Sequence, residues 1–186
     1  MPGVQVVDLR CEYATNPLGL GVTAPRLSWR LESGQRGMRQ SAYQIVVADN
    51  DDPLRSGRWL WDSGRVESAT CTHVTYAGLP LHSRQQCRWR VRIWDAQGVA
   101  SGWSEPAWWE MGLLHPEDWH AAWISPASDA LPAAEPPPAP YLRRHFTIDL
   151  PVTTARLSIT SLGLYDAWLN GVRVGDACLT PGWTSY

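Results

Sequence analysis

Apolar and polar positions alternate with a period of two along much of the first half of this chain, the period of strands with one wet face. The clearest run sets Cys87, Trp89, Val91 and Ile93 against Arg88, Arg90 and Arg92, and predicts a half-buried strand. Asp95 to Gly102 then supplies Asp, Gln, Gly and Ser, residues that turn a chain back. An apolar run through Trp103, Trp108, Trp109 and Met111 follows, so 86–112 predicts a closing β-hairpin. Earlier strands are expected at Val7, Leu9, Cys11 and Tyr13, then at Leu27, Trp29 and Leu31, and then at Tyr43, Ile45 and Val47, stopping at Asp49 to Pro53. A short edge strand is expected over Leu60 to Gly64 and another at Thr72, Val74 and Tyr76, after which Leu79-Pro80-Leu81 leads into the strand at Cys87. Asn16 to Pro25, with two prolines and two glycines, is expected to wander over the surface.

Seven strands with turn signals at regular intervals and no helical periodicity predict a β-sandwich over 1–113. The pattern changes at Leu114. His115-Pro116-Glu117-Asp118 suits a helical turn, with Pro at its start and acids favoured by the helix dipole. Ser125 to Pro140 is dominated by Pro, Ala, Ser and Asp, and 114–140 is read as a linker. Alternation resumes over Leu142 to Ile148 and Ala155 to Ile159. Asn170-Gly171, which joins Leu164–Leu169 to Val172–Val174, is a strong hairpin signal because both turn residues need positive φ. The stretch 141–186 has fewer strands than the roughly eight of a jelly roll, and is read as the first, truncated part of a second β-sandwich. The expected fold class is all-β.

Composition narrows the function. The 186 residues are enough for one domain and part of another. A formal charge of -2 and a pI near 6.2 leave no electrostatic footprint for nucleic acid or an anionic membrane, and both are discarded as partners. The 16 basic residues are all Arg, scattered and balanced by acids. The amino terminus lacks the basic and apolar regions of a secretory signal, and no run of eighteen apolar residues occurs, so a cytoplasmic location is expected. Cys11, Cys71, Cys87 and Cys178 form no C-x-x-C pair and are read as free thiols. Cys71 and Cys87 fall on opposite phases of their strands, which disfavours a bridge between them.

Candidate chemistry is sparse. No nucleophile, phosphate loop, metal cluster or cofactor motif stands out. Asp49, Asp51 and Asp52 would suit a hard cation, but they lack further ligand spacing and are read as a solvated turn. His73, His115 and His120 have no metal-binding spacing. Twelve tryptophans against one phenylalanine offer stacking platforms as well as core fillers. Trp108, Trp168, Trp183 and Tyr186 are the candidates for stacking on sugar, with core or interdomain packing the preferred alternative. Trp103 is expected to be sandwiched by Arg90 or Arg92 in a structural stack, the alternative being an inward Trp103 and solvated arginines.

A tryptophan on the second strand (Trp29), a leucine six residues ahead of Cys87 (Leu81), and Ser101-Gly-Trp-Ser-Glu-Pro106 resemble a fibronectin type III fold. Cys87 stands where that fold has its corner tyrosine, so the corner hydrogen bond must be missing or made by another group. The order of segments also resembles the amino-terminal part of bacterial alpha-L-rhamnosidases, glycoside hydrolase family seventy-eight. The matching stretches are Pro25-Arg-Leu-Ser-Trp-Arg30, Gln40-Ser-Ala-Tyr-Gln-Ile45, Trp61-Asp-Ser-Gly64, Trp89-Arg-Val-Arg-Ile-Trp-Asp95 and Gly102-Trp-Ser-Glu-Pro106. Stronger still are Leu162-Gly-Leu-Tyr-Asp-Ala-Trp-Leu-Asn-Gly171 and Leu179-Thr-Pro-Gly-Trp-Thr-Ser-Tyr186.

The resemblance implies a fibronectin-like domain, a larger β-sandwich, and then an α/α-barrel holding the acid and base of an inverting glycosidase. No residue here matches the barrel's acidic motif, so no catalytic residue is assigned and the chain alone is expected to be inactive. Its implied role is accessory: docking to the missing catalytic barrel, with rhamnose-containing glycans as candidate ligands. The alternative is a stand-alone carbohydrate-binding or protein-interaction module.

Overall fold

A computed structural model describes residues 4–49, 52–126 and 139–182. Alternation becomes strand in chain order as β1 (Gln5–Cys11), β2 (Arg26–Glu32), β3 (Gln40–Asp49), β4 (Trp61–Asp62), β5 (Val66–Glu67), β6 (Val74–Thr75), β7 (Gln86–Asp95) and β8 (Ala107–Glu110). A four-residue helix α1 (Pro53–Ser56) interrupts the series after β3. The Asp52 side chain caps it by accepting from Leu54 N–H at 3.1 Å, with Pro in its first turn. The chain divides into two units, Met1–Trp123 and Ile124–Tyr186.

In the first unit β1, β2 and β6 form one antiparallel sheet, and β4, β3, β7 and β8 form the other in that order, with β5 also on β3. Their inner faces share one core, and the chain is all-β as its pattern predicts. Leu27, Ile45, Trp89, Val91, Ile93 and Trp109 are wholly buried there. One polar network crosses the core: Trp29 Nε1 donates to Gln40 Oε1 at 3.0 Å, and Gln40 Nε2 donates to the carbonyls of Ser68 and Thr70. Polar groups this deep stay stable because each donor is satisfied.

The first strand departs from its expected phase. Val6 rather than Val7 faces the core, because a bulge between Val7 and Arg10, with Asp8 at φ 51°, inserts an extra residue before Leu9 and Cys11 turn inward. Tyr13 is exposed and carries Arg26 over its ring at 5.0 Å. The corner hydrogen bond that Cys87 cannot make is replaced on the preceding strand, where Tyr76 Oη donates to the Leu79 carbonyl at 2.8 Å. Gly78 lies inside that turn. A Cβ there would come within 2.5 Å of Leu60 O, Trp61 Cβ and Tyr76 Oη.

Asn16 to Leu20 does not wander. Asn16 Oδ1 accepts from Trp108 N–H, the Pro17 carbonyl from Glu110 N–H, and the Leu20 carbonyl from Gly112 N–H, at 2.9, 3.0 and 2.7 Å. Leu20 N–H returns a bond to the Glu110 carbonyl. The outward edge of β8 is therefore covered by the chain's own loop, one of the ways proteins close a sheet. Leu114 to Asp118, expected in a linker, are also tied to this unit. Ser83 Oγ accepts from Leu114 N–H at 2.8 Å and donates to the Asp118 carboxylate, which accepts from His115 N–H at the head of a 3-10 turn over Pro116–Asp118.

The second unit is less regular. Asn170 (φ 50°) and Gly171 (φ 80°) make the two-residue turn their pairing predicts, joining β9 (Trp168–Leu169) to β10 (Val172–Arg173) in the register Leu169 to Val172. The strands expected at Leu142–Ile148 and Ala155–Ile159 do not form. Their apolar residues, Phe146, Ile148, Leu157 and Ile159 among them, lie exposed, with no facing layer among the unit's described residues to bury them. Alternation makes a strand only where a neighbour supplies the ladder and a core receives one face.

Candidate functional site

The outer face of the β7 sheet concentrates the chain's aromatic and cationic groups. Inward residues of β7 leave Arg88, Arg90, Arg92 and Trp94 on the outside, opposite Ala48, Val46, Gln44 and Ala42 of β3. These small or short β3 residues leave room for long arginine stems, and Ala42, Val46 and Ala48 are buried although they point away from the core.

Arg90 is held from three sides. Its Nε donates to Asp52 Oδ1 at 2.8 Å, its Nη2 to Asp52 Oδ2, and its Nη1 to the Ser104 carbonyl at 2.6 Å. The two side chains are only 16% and 17% exposed. Hydrogen bonding from Arg90 holds the Asp52 carboxyl below its ordinary range, and the same bond raises the guanidinium pKa. Asp52 is thus an ion-paired helix cap rather than part of a solvated turn. Asp51, the other central acid of that run, lies outside the described residues.

Arg92 takes the stacking position. Its Cζ lies 4.7 Å from the Trp103 ring centre and 5.0 Å from that of Trp94, while Nε and Nη2 both donate to Gln44 Oε1. Arg65 covers Trp94 at 4.8 Å and pairs with Glu67. Four side chains therefore alternate in the order Trp103, Arg92, Trp94, Arg65. Arg90 has no part in this stack. Ahead of β8, serines hold the returning chain to β7: Ser104 Oγ accepts from Val91 N–H and Ser101 Oγ from Ile93 N–H, at 3.1 and 3.0 Å.

Arg88 differs from its neighbours. Its Nε is buried without an acceptor, and directly across the ladder stands Trp108, half-buried on the same outer face. Among the other aromatic candidates, Trp168 is exposed on the second unit's hairpin, and Trp183 and Tyr186 lie outside the described residues. That hairpin borders a recess of about 190 Å³, walled by Leu157, Tyr165, Val174 and Thr180, in which Asp166 is ion-paired to Arg173 at 2.7 Å. Among the described residues Asp166 is the single carboxylate on that wall. Among the described residues no three His, Cys, Asp or Glu side chains group as a metal site, and the cysteines are free. Sequence reasoning missed the roles of Asp52, Gln44 and Ser104. Only Asp52 carried a signal, as a cap residue directly before Pro53.

Comparison with known proteins fixes the lineage. A family model described as the Rha78A-like N-terminal immunoglobulin domain matches residues 6–115. The chain belongs to that family. A second model, the alpha-L-rhamnosidase N-terminal domain, matches residues 151–186. An alpha-L-rhamnosidase of Streptomyces avermitilis is 41% identical over 98% of this chain and 20% of its own length. One from Alteromonas sp. (strain LOR) is 40% identical over 94% of this chain and 20% of its own. The chain thus spans about a fifth of the length of these curated relatives. Among solved structures, the Streptomyces avermitilis alpha-L-rhamnosidase complexed with L-rhamnose matches with TM-score 0.67 and 45% identity, over 71% of this chain and 13% of that one. The alpha-L-rhamnosidase from Dictyoglumus thermophilum matches with TM-score 0.75 and 28% identity, over 97% of this chain and 22% of that one.

Proposed function

We propose that this chain is an accessory, non-catalytic portion of an alpha-L-rhamnosidase, a scaffold that docks against the catalytic α/α-barrel of an enzyme cleaving terminal alpha-L-rhamnosides with inversion. The observation carrying this reading is the contrast between the two units. The first closes a full core, whereas the second exposes Phe146, Ile148, Leu157, Leu164 and Leu169, apolar side chains that a partner's surface would cover. Inverting hydrolysis needs two carboxyl groups about 6.5–9.5 Å apart across the scissile bond, and the recess of the second unit offers one, already ion-paired. Rhamnose-containing glycans are the ligands this reading implies. A cytoplasmic location goes with it, and no helix among the described residues is long and apolar enough to cross a membrane.

The test is hydrolysis of an aryl alpha-L-rhamnoside by the purified chain. No turnover is expected, and activity that copurifies with the chain overturns the reading. Amide exchange over 142–169 should slow when the separately expressed catalytic part of a rhamnosidase is added, which a stand-alone module would not show.

A further inference from the structure

The two sheets of the first unit each place one cysteine in their shared core. Cys11, at the end of β1, is 1% exposed, and Cys87, near the start of β7, is wholly buried. Cys11 pairs across its ladder with Leu27, and Leu27 with Val74 of β6, while Cys87 pairs with Trp109 of β8. Tyr76 joins these two rows. It lies two positions beyond Val74 on the same inward face, and its ring meets that of Trp109 edge-on at 5.9 Å. Cys11 and Cys87 therefore stand at the same end of the sandwich, on facing sheets. They are also close. Packed sheets ordinarily lie about 10 Å apart, whereas Cα atoms of β1 and β7 come within 8 Å of one another. The thiols sense this proximity. Burial first, then Glu12 and then Cys87 push the Cys11 thiol up, and burial followed by Cys87 does the same to the Tyr76 phenol.

We propose that Cys11 and Cys87 are a latent cross-sheet disulfide, left as two thiols in a reducing medium and closed when the chain folds in the presence of a small disulfide oxidant. A bridge needs Cα atoms about 4.4–6.8 Å apart, a span that the narrow gap between β1 and β7 approaches. The chemistry is thiol–disulfide exchange. One cysteine thiolate attacks oxidised glutathione and expels one glutathione thiolate, and the second cysteine thiolate then displaces the other glutathione from the mixed disulfide. The oxidant takes up both electrons, and the two protons given up by the cysteines end on two molecules of reduced glutathione. In the folded unit burial keeps both thiols protonated, so exchange belongs to the stage before the sheets close. Once formed, the bond ties the first strand to the central one and encloses most of the first unit in a single loop. The inference rests on these two residues and is independent of the accessory role proposed above.

The experiment unfolds the chain in urea and refolds it either with a mixture of reduced and oxidised glutathione or with a phosphine reductant. Remaining thiols are then blocked with iodoacetamide and the peptides mapped by mass. The glutathione sample should yield a peptide linked through Cys11 and Cys87, lighter by two hydrogens than its separate halves, and the reduced sample should yield none. The same linked peptide should form in the double variant Cys71→Ser, Cys178→Ser, which removes the competing thiols. The native chain is measured alongside it, so the result stands even where the Cys71 change impairs folding. The bridged chain should unfold at a urea concentration about 1–2 M above that of the reduced chain, as expected for a bond closing a long loop. The proposal is overturned if no Cys11–Cys87 peptide forms, or if either residue pairs mainly with Cys71 or Cys178. It is also overturned if the bridged chain unfolds at a lower urea concentration than the reduced one, which would mean that the bond distorts the sheets it joins.

Discussion

Replacing Asp52 tests whether the outer face of the sheet is fastened by charge or merely covered. Exposed ion pairs contribute about 0–1 kcal/mol, and breaking a fully buried pair costs about 3–5. The Asp52–Arg90 pair, with about one-sixth of each side chain exposed and both carboxylate oxygens engaged, lies between these limits. Asp52 also caps α1, a contribution of about 1 kcal/mol, and this must be separated from the pair. Asp52→Asn keeps a cap acceptor and removes the charge, and should cost about 1.5–2 kcal/mol. Asp52→Ala removes both and should cost about 2.5–3. Urea unfolding followed by near-ultraviolet circular dichroism reads these as midpoint shifts of about 0.75–1 M for Asp52→Asn and about 1.25–1.5 M for Asp52→Ala, for a slope near 2 kcal/mol/M.

A double-mutant cycle of Asp52→Asn with Arg90→Gln should give a coupling of about 1.5 kcal/mol. The pH dependence has a fixed sign. The folded carboxyl is held below its unfolded value, which is about 3.9, so its contribution is complete at neutral pH and is lost as pH falls through the folded value. The gap between native chain and Asp52→Asn should therefore narrow below about pH 4. A coupling under about 0.5 kcal/mol, the level at which independent sites add, would refute the assignment of Arg90 as a fastener.

Gly78→Ala should destabilise the chain by about 1–3 kcal/mol, measured by the same unfolding assay, because the new methyl meets the Leu60 carbonyl, the Trp61 Cβ and the Tyr76 hydroxyl. Burial pushes the Cys11 and Cys87 thiols up to about 12, so iodoacetamide at pH 8 should label Cys178 quickly, Cys71 more slowly, and the buried pair only in denaturant, as read by peptide mass mapping. The same raised values stabilise the fold fully below the unfolded thiol value of about 8.5, and that stability is lost as pH rises through about 12. Amide exchange of 142–159 in the chain alone should be far faster than that of Trp89 to Ile93, and equal protection would contradict the exposed, unpaired arrangement of those residues.

Much of the first unit was legible because its central strand β7 alternates without a break. Trp89, Val91 and Ile93 face inward as read, and Asn170-Gly171 turns as its chemistry requires. The bulge at Asp8 was not legible, since adjacent Val6 and Val7 give no local reason to prefer one over the other. Only the partner strand, through its register, decides. For Leu142–Ile148 the local pattern was present, but no layer that makes a strand stands among the unit's described residues, and periodicity reports a face without saying what covers it. On the outer face, three arginines in alternation read as a set. Their division into one paired, one stacked and one with an unbonded Nε depends on residues 38 to 48 positions away, namely Asp52, Gln44 and the absence of an acceptor opposite Arg88 at Ala48. No window along the chain contains that information.

The loop that caps β8 determines what kind of neighbour the first unit can have. A sheet with a bare last strand grows by accepting any strand that matches it, including another copy of itself. Here Asn16, Pro17 and Leu20 occupy three successive donors on that edge, and a proline stands among the caps where an incoming strand would look for a further N–H. The unit can therefore be set beside other β-rich domains in one long polypeptide without trading strands with them. A chain with Asn16 to Leu20 replaced by a glycine-serine linker would keep β1 to β8 and lose that insulation, leaving the β8 edge open to pairing with another copy.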